Sequence, residues 1–176
     1  MWLCAHSRSK EQGFSLIEML AAMALLAIVM TLGAVALRQY WFVQSLAGGE
    51  EEVISHLRRM QEQAVAETHP LMFGVRFRTG SPEWGAVRYD PDTGVCSSES
   101  SLEFGGGVVV SAVDFADTAE GTTQCRAQLA GAASDEFAFF FPRGTATGGT
   151  VTLQQSQLGR TESLSVTPMT GRVEEV

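Results

Sequence analysis

The sequence contains little of what phosphate-binding and nucleic-acid-binding proteins need. Its 176 residues include 12 Lys+Arg against 20 Asp+Glu, a formal net charge of −8. Lys10 is the only lysine, so the Gly-Lys pair of a P-loop does not occur. A chain this acidic also lacks the basic surface that binds nucleic acid. We therefore expect no P-loop enzyme, and nucleic acid is not an expected partner.

Motifs of the common enzyme classes are also missing. The sequence has no Gly-x-Ser-x-Gly, no HExxH and no Cys-x-x-Cys, and its three cysteines are too few for a disulfide-dense domain. His56 and His69 are each expected to be structural or solvated. Gly105–Gly107 lacks the later glycine of a dinucleotide loop and is expected to be a flexible loop. We therefore expect a protein that is not an enzyme, with no catalytic residue, no cofactor and no metal.

What the chain has in excess is one continuous apolar run. The 24 residues from Phe14 to Leu37 carry a single formal charge, Glu18. At a rise of about 1.5 Å per residue the run spans about 36 Å, more than the hydrocarbon core of about 30 Å. Arg8 and Lys10 precede it and no small-x-small cleavage site follows it, which favours a retained span with a cytoplasmic N-terminus.

Glu18 is costly in such a span. An ionised carboxylate in the bilayer costs about 2.5–3.5 kcal/mol on insertion scales, so it should have a partner. Without one, Glu18 would lie near the interface, protonated or reaching the headgroups.

The boundary before the run carries the most specific motif, Gly13-Phe14-Ser15-Leu16-Ile17-Glu18. It resembles the type IV prepilin motif, in which a short charged leader ends in Gly, followed by Phe and by a Glu at mature position five. The resemblance implies that a prepilin peptidase cuts after Gly13 and methylates the new amino group of Phe14. It also implies that Glu18 pairs with the amino terminus of a neighbouring subunit and sets the register of a filament.

The helix is predicted to continue beyond the membrane. Arg38–Thr68 contains no proline, and its apolar residues recur at helical spacing opposite a charged face. A kink or short break is expected at Gly48-Gly49, and His69-Pro70 should end the helix. The predicted apolar face comprises Leu46, Val53, Ile54, Leu57, Met60 and Ala64.

After Pro70 the apolar pattern changes to a period of two, which predicts strands. They are expected at Leu71–Phe77, Trp84–Tyr89, Val108–Val113, Glu136–Phe141, Thr150–Gln155, Glu162–Thr167 and Arg172–Val176. We therefore predict an α+β fold in which the amphipathic half-helix packs on an antiparallel sheet. The predicted domains are a leader at 1–13, a transmembrane or filament-core helix at 14–37, its amphipathic half at 38–69 and a β-rich domain at 70–176.

Cys96 and Cys125 both lie in the part predicted to be outside the membrane, where disulfides are permitted. A bridge would close a loop of about 30 residues and stabilise the fold by roughly 3.5 kcal/mol. The alternative is two free thiols. Asp90 and Asp92 could contribute to a calcium site, but with Gly94 they fit a tight hairpin turn better.

The C-terminal part carries a second set of motifs, Phe139-Phe140-Phe141-Pro142-Arg143-Gly144 and the closing Gly171-Arg172-Val173. They resemble the family of general secretion pathway protein H and the FimT-type minor pilins, in which a Phe-x-Pro-x-Gly turn precedes two strands and a closing Gly-Arg. The end of the helix with Pro70-Leu71 is similar to the same family.

Three classes of function fit this organisation. The resemblance implies first a minor pseudopilin of a type II secretion system, anchored in the bacterial inner membrane with its C-terminal domain in the periplasm. Its implied partners are the prepilin peptidase, other pseudopilins or pilins and the inner-membrane assembly platform. The second class is a minor pilin that primes a type IV pilus or takes up DNA, although Glu174 stands where DNA-binding FimT-type tails have a second basic residue. The third is a tethered enzyme or binding module, which leaves Gly13-Phe14 and Glu18 unexplained.

Overall fold

The computed structural model describes residues 15–67, 69–117, 121–129, 131 and 134–176. The chain divides into two compact units, Met1–Gln39 and Tyr40–Val176, and the first helix contributes residues to both. The elements of the described residues, in chain order, are α1 (Leu16–Ala66), β1 (Met72–Phe77), β2 (Glu83–Asp90), β3 (Val95–Ser98), β4 (Leu102–Glu103), β5 (Val108–Phe115), α2 (Gly121–Gln128), β6 (Glu136–Phe140), β7 (Gly149–Gln155), β8 (Arg160–Val166) and β9 (Val173–Glu175).

Helix α1 has the capped start and proline-limited end that its sequence favours. The Ser15 hydroxyl accepts a hydrogen bond from the backbone N–H of Glu18 at 3.3 Å, as an N-cap residue does. The helix ends at Ala66, three residues before the predicted end at 69. Pro70 disfavours the helical conformation of the residue before it, and a tight turn from Leu71 N–H to the His69 carbonyl, 2.7 Å, follows instead.

The break expected at Gly48-Gly49 is absent, because α1 runs through both glycines. Gly49 is buried, and a Cβ there would lie 3.2 Å from Cδ1 of Phe104. A Cβ on Gly48 would meet nothing within 4 Å. Gly49 therefore allows α1 to pack closely against Phe104. The low helix propensity of glycine, from which a break was expected, does not reveal this packing role.

The strands form two antiparallel sheets where one was predicted. The first, sheet A, has the order β3-β2-β1-β6, with β4 also paired to β2. The second, sheet B, has the order β5-β7-β8-β9. The α+β prediction, a long N-terminal helix on antiparallel strands, is confirmed, and each strand predicted from the period of two is present within a few residues of its expected bounds.

The main core lies between the second half of α1 and the inner faces of both sheets. Period-two residues of β1, namely Phe73, Val75 and Phe77, meet the buried face of α1. Of the predicted apolar helix face, all but the half-buried Ile54 are buried. The cluster also includes Trp84, Phe104, Phe115, Val108, Val110, Phe140, Val151, Leu153, Leu164, Val166 and Val173.

Sheet A is covered on its other face as well. There Phe137 and Phe139 pack in a second cluster that also holds Val87, Tyr89 and the cysteines Cys96 and Cys125. The two phenylalanine rings are stacked with centroids 5.7 Å apart. Because Ala138 and Phe140 point into the main core, β6 is buried on both faces.

Helix α2 and the short strands β3 and β4 were not predicted. The eight residues of α2 read GTTQCRAQ and have no apolar face, while β3 reads VCSS and β4 has two residues. Neither helical nor strand periodicity can be recognised in segments this short and polar. Strand β3 is positioned by its hairpin with β2 and β4 by its pairing with β2, whereas α2 is positioned by its contacts with β3 and β6.

Candidate assembly site

The first unit presents Glu18 at the start of an exposed apolar helix. Glu18 lies in the first turn of α1, and within the described residues no cation pairs with it. The predicted cleavage residues, Gly13 and Phe14, lie outside the described residues. The structure therefore places Glu18 on the helix but does not place the amino group that it is predicted to meet.

The apolar side chains of the described residues in this part of α1 are exposed. A stretch of 18 residues within α1 has a mean hydropathy of 2.5, none of it is buried, and among the described residues α1 is the helix long and apolar enough to cross a membrane. Tyr40 and Trp41, directly after it, are 60% and 62% exposed. Tyrosine and tryptophan are enriched at membrane–water interfaces. The helix surface thus suits lipid or other apolar helices.

The second half of α1 has the predicted amphipathic character. Its buried residues lie opposite the exposed carboxylates and guanidinium groups of Glu51, Arg58, Arg59 and Glu62. Glu50 lies at the border between the two faces. Burial, with the nearby carboxylates of Glu175 and Glu162, raises its pKa above the usual value.

The two C-terminal motifs meet at one junction. Gly144 and Gly171 both have a positive φ, and a Cβ on Gly171 would lie 3.0 Å from the Gly144 carbonyl oxygen. The side-chain amide of Gln61 on α1 donates to the Thr170 carbonyl at 2.8 Å. The Phe-x-Pro-x-Gly turn and the closing Gly-Arg therefore lie next to each other. The hydrogen bond from Gln61 connects the turn before β9 to α1.

Arg172 of that closing turn is paired with a carboxylate. Its Nε lies 2.8 Å from Oε1 of Glu174. Both side chains are substantially exposed, so the pair contributes little to stability. The Glu174 carboxylate does offset the positive charge of Arg172.

Cys96 and Cys125 are joined by a disulfide, with their Cα atoms 5.2 Å apart. The bridge links β3 to α2. Gln128 supports the same contact, because its amide oxygen accepts from the Cys96 N–H at 2.9 Å and its amide nitrogen donates to the Gly94 carbonyl at 2.7 Å. This region fixes α2 over the second face of sheet A.

A buried ion network lies next to Arg126 of α2, and the sequence did not predict it. Asp135 is fully buried, and its carboxylate lies 3.1 Å from Nε of Arg78 and 3.5 Å from Nε of Arg76. This carboxylate, with that of Glu83, raises the pKa of Arg78. The Asp135 carbonyl accepts from Nε of Arg126 at 2.9 Å. The sequence held one signal for this network. Charged and apolar residues alternate in β1, and this alternation places Arg76 on the face of the strand opposite the main core.

Arg126 also meets Glu136, with Nη2 and Oε1 2.7 Å apart. Burial nonetheless raises the pKa of Glu136, helped by the carboxylates of Asp117 and Asp114 and opposed by Arg126.

The residues weighed for a calcium site form the expected hairpin turn. The Asp90 carboxylate accepts from the backbone N–H groups of Asp92 and Thr93 at 3.0 and 3.4 Å. Hydrogen bonding by Thr93 is the largest cause of the lowered pKa of Asp90. Nε2 of His69 lies 3.4 Å from Oδ2 of Asp92. One ligand atom from each of His69, Asp90 and Asp92 lies within 4.8 Å of the others, but all three are partly or fully exposed.

The glycine-rich loop and His56 have packing roles. Gly106 and Gly107 have positive φ, and a Cβ on Gly106 would lie 2.5 Å from Cβ of Ser45 on α1. The loop that was expected to be flexible therefore packs against α1.

The His56 ring meets Trp84 edge to face with centroids 5.0 Å apart, which fits the expected structural histidine.

Comparison with known proteins agrees with this arrangement. A family described as the prokaryotic N-terminal methylation motif matches residues 8–34. The fold is similar to the solved structure of the minor pseudopilin EpsH from the type 2 secretion system of Vibrio cholerae, with a TM-score of 0.53 and 11% identity over 75% of this chain and 96% of that one. A comparison with curated protein sequences found no match.

The chain thus combines an N-terminal methylation motif with a type IV pilin-like fold. The N-terminal resemblance to prepilins is confirmed by the matched motif, and the expected fold is confirmed by the similarity to a minor pseudopilin. The chain has a pseudopilin fold behind an N-terminal methylation motif.

Proposed function

We propose that this chain is a minor pseudopilin, a structural subunit of the periplasmic filament of a type II secretion system. The observation that carries the proposal is the coincidence of two independent features in one chain. A methylation motif covers residues 8–34, and a pseudopilin fold covers 75% of the chain. A tethered module of another kind would need neither feature.

Maturation by a prepilin peptidase follows from this proposal. The peptidase removes residues 1–13, cutting between Gly13 and Phe14, and methylates the amino group of Phe14. The mature protein then starts directly at the helix that begins, in the structure, at Leu16. Residues 14–37 span the membrane before assembly and lie among other apolar helices in the filament, 38–69 belong to the amphipathic half, and 70–176 form the periplasmic domain.

Glu18 guides assembly in this proposal. An uncompensated carboxylate within the bilayer costs about 2.5–3.5 kcal/mol, and pairing it with the positive amino group of Phe14 on a neighbouring subunit offsets that cost. The exposed position of Glu18 in the first turn of α1 leaves it accessible to such a neighbour. The pair sets where the incoming subunit stops along the filament axis.

The proposed location is the bacterial inner membrane, with the N-terminus in the cytoplasm. Arg8 and Lys10 before the span support this orientation. The disulfide between Cys96 and Cys125 fits the oxidising periplasm. The partners are the prepilin peptidase, other pseudopilins and the inner-membrane assembly platform.

The protein acts by assembly, supporting the export of folded proteins across the outer membrane. A minor pilin of a type IV pilus shares the same motif and fold and is the alternative. Uptake of DNA is the less favoured role within that alternative, because Arg172 is paired with Glu174 and the chain is acidic.

Cross-linking in native membranes followed by mass spectrometry of the co-purified proteins tests the proposal. Other pseudopilins and components of the secretion platform are the expected partners. Recovery of a major pilin and pilus-assembly proteins would replace the proposal with the alternative. Recovery of no filament protein would contradict both.

A further inference from the structure

Helix α2 buries too few of its residues for packing alone to hold it in position. Of its eight residues only Gly121, Thr122 and Cys125 are buried, and the rest of GTTQCRAQ faces outward or is half-buried. Helices shorter than about 12–15 residues are marginal in water even when alanine-rich. The position of α2 therefore depends on the bonds that fasten it to sheet A.

Most of those bonds are polar and partly solvated. Gln128 bonds to Gly94 and Cys96, while Arg126 bonds to Glu136 and to the Asp135 carbonyl. The side chains of Arg126 and Glu136 are each about a quarter exposed. Partly exposed ion pairs and hydrogen bonds are individually weak because water replaces them readily. The covalent fastening is the disulfide from Cys125 to Cys96.

What α2 covers is strongly apolar. Tyr89, Phe137 and Phe139 in the second cluster are each no more than 3% exposed. An aromatic side chain buries about 150–250 Å², so uncovering this face would expose an apolar patch of a size that soluble surfaces rarely carry.

The main core is independent of α2. It is built from α1 and the inner faces of the two sheets, and the second cluster shares no residue with it. The described residues of α2 contact β3 and β6 at the opposite face of sheet A. Lifting α2 therefore leaves the contacts between α1 and the sheets in place.

We propose that the Cys96–Cys125 disulfide is a redox-controlled latch that closes α2 over the aromatic face of sheet A. In the reduced protein the domain has its main core but an open second face. Closure forms the S–S bond from two thiols, which give two electrons and two protons to an external disulfide oxidant that becomes a dithiol. The latch is a property of the second unit and does not rest on the proposed function.

The expected increase in opening of α2 on reduction can be worked out from the length of the segment that joins α2 to β5 and β6. Twenty residues separate the end of β5 at Phe115 from the start of β6 at Glu136. The disulfide attaches Cys125, near the middle of that segment, to Cys96 and so divides the segment into two loops of about 10 residues each. For a loop of that length the chain-entropy relation gives roughly a 100-fold shift in the equilibrium between closed and open α2. Reduction should therefore increase opening of α2 on the order of 100-fold.

Hydrogen–deuterium exchange with mass spectrometry tests the latch in the full-length chain in detergent micelles. The chain carries Cys4→Ser so that Cys96 and Cys125 are its two cysteines, and Trp2→Phe with Trp41→Phe so that its fluorescence comes from Trp84. Exchange is compared before and after addition of a reductant. The expected result is a roughly 100-fold loss of protection in peptides covering 121–129. Peptides covering 53–64 and the fluorescence of buried Trp84 should not change, because both report the main core.

Two results would overturn the proposal. Unchanged protection of α2 after reduction would show that polar bonds hold it without the latch. An equal loss of protection in α2 and in 53–64 would show that the disulfide holds the whole domain.

The variant Cys96→Ser/Cys125→Ser supplies a second test and a control for the reductant. It should show the exchange pattern of the reduced protein and should not respond further to the reductant. A response of the same size as in the parent chain would mean that the reductant acts elsewhere and would count against the latch.

Discussion

Two adjacent glycines in α1 give a sharp test of how the helix packs on the domain. Gly48 and Gly49 are consecutive and both are helical, so alanine at either position adds the same methyl group and the same gain in helix propensity. That gain is about 0.8–1.0 kcal/mol in a helix interior. The two variants are therefore matched controls for each other, and they differ in what the added Cβ meets.

At Gly48 the added Cβ meets nothing within 4 Å, so Gly48→Ala should stabilise the protein by about 1 kcal/mol. At Gly49 it would lie 3.2 Å from Cδ1 of Phe104 and 3.7 Å from Cγ1 of Val108. The Phe104 ring cannot move freely, because it stacks on Trp84 with centroids 5.3 Å apart. Overpacking in a core costs about 1–3 kcal/mol, so Gly49→Ala should be less stable than Gly48→Ala by that amount.

Urea unfolding of the full-length chain in micelles measures the difference. Trp84 is fully buried in the main core, so its fluorescence follows unfolding of the second unit once Trp2 and Trp41 are replaced by phenylalanine. A Gly49→Ala variant as stable as Gly48→Ala would refute the close packing of α1 against Phe104. Loss of stability in Gly48→Ala would show that this position is not open.

Three further predictions concern charged residues. Glu18→Val should leave a processed membrane protein whose share in the cross-linked filament fraction falls sharply; normal incorporation would contradict the proposed pairing with Phe14. Asp135→Asn leaves the guanidinium of Arg78 without its buried partner, and denaturant unfolding should show a loss of about 3 kcal/mol, whereas a neutral result would mean that the network is solvated. Glu50→Gln should stabilise the protein at pH 7 relative to the parent, and the gain should vanish at low pH. The sign follows from the raised pKa of Glu50, because the folded state is penalised only once that carboxyl ionises, and exposed Glu51→Gln is the control.

Local pattern was enough to predict much of the fold. The period of two in Phe73, Val75 and Phe77 correctly predicted which face of β1 meets the main core. The helical spacing of Val53, Leu57 and Met60 predicted the buried face of α1 in the same way. In both cases the spacing of apolar residues along the sequence matches the period of the element, and the apolar residues lie on its buried face. The type of element, and with it the fold class, can therefore be predicted from the sequence.

The rest depends on contacts between residues far apart in sequence. Asp135 is 57 residues from Arg78, and nothing near either residue indicates their pairing. The difference between Gly48 and Gly49 is set by Phe104, which lies on a distant loop. Helix α2 has no apolar period, since its position is fixed by a disulfide and side-chain bonds. Sequence periodicity carries no information about such contacts.

Processing and assembly of the chain as a pilin-like subunit are tested most directly by the mass of its N-terminal peptide. Protein isolated from its native membrane should yield an N-terminal peptide that begins at Phe14 and carries one methyl group on its amino nitrogen. A mature chain that still contains residues 1–13, or one that is cut elsewhere, would contradict the account.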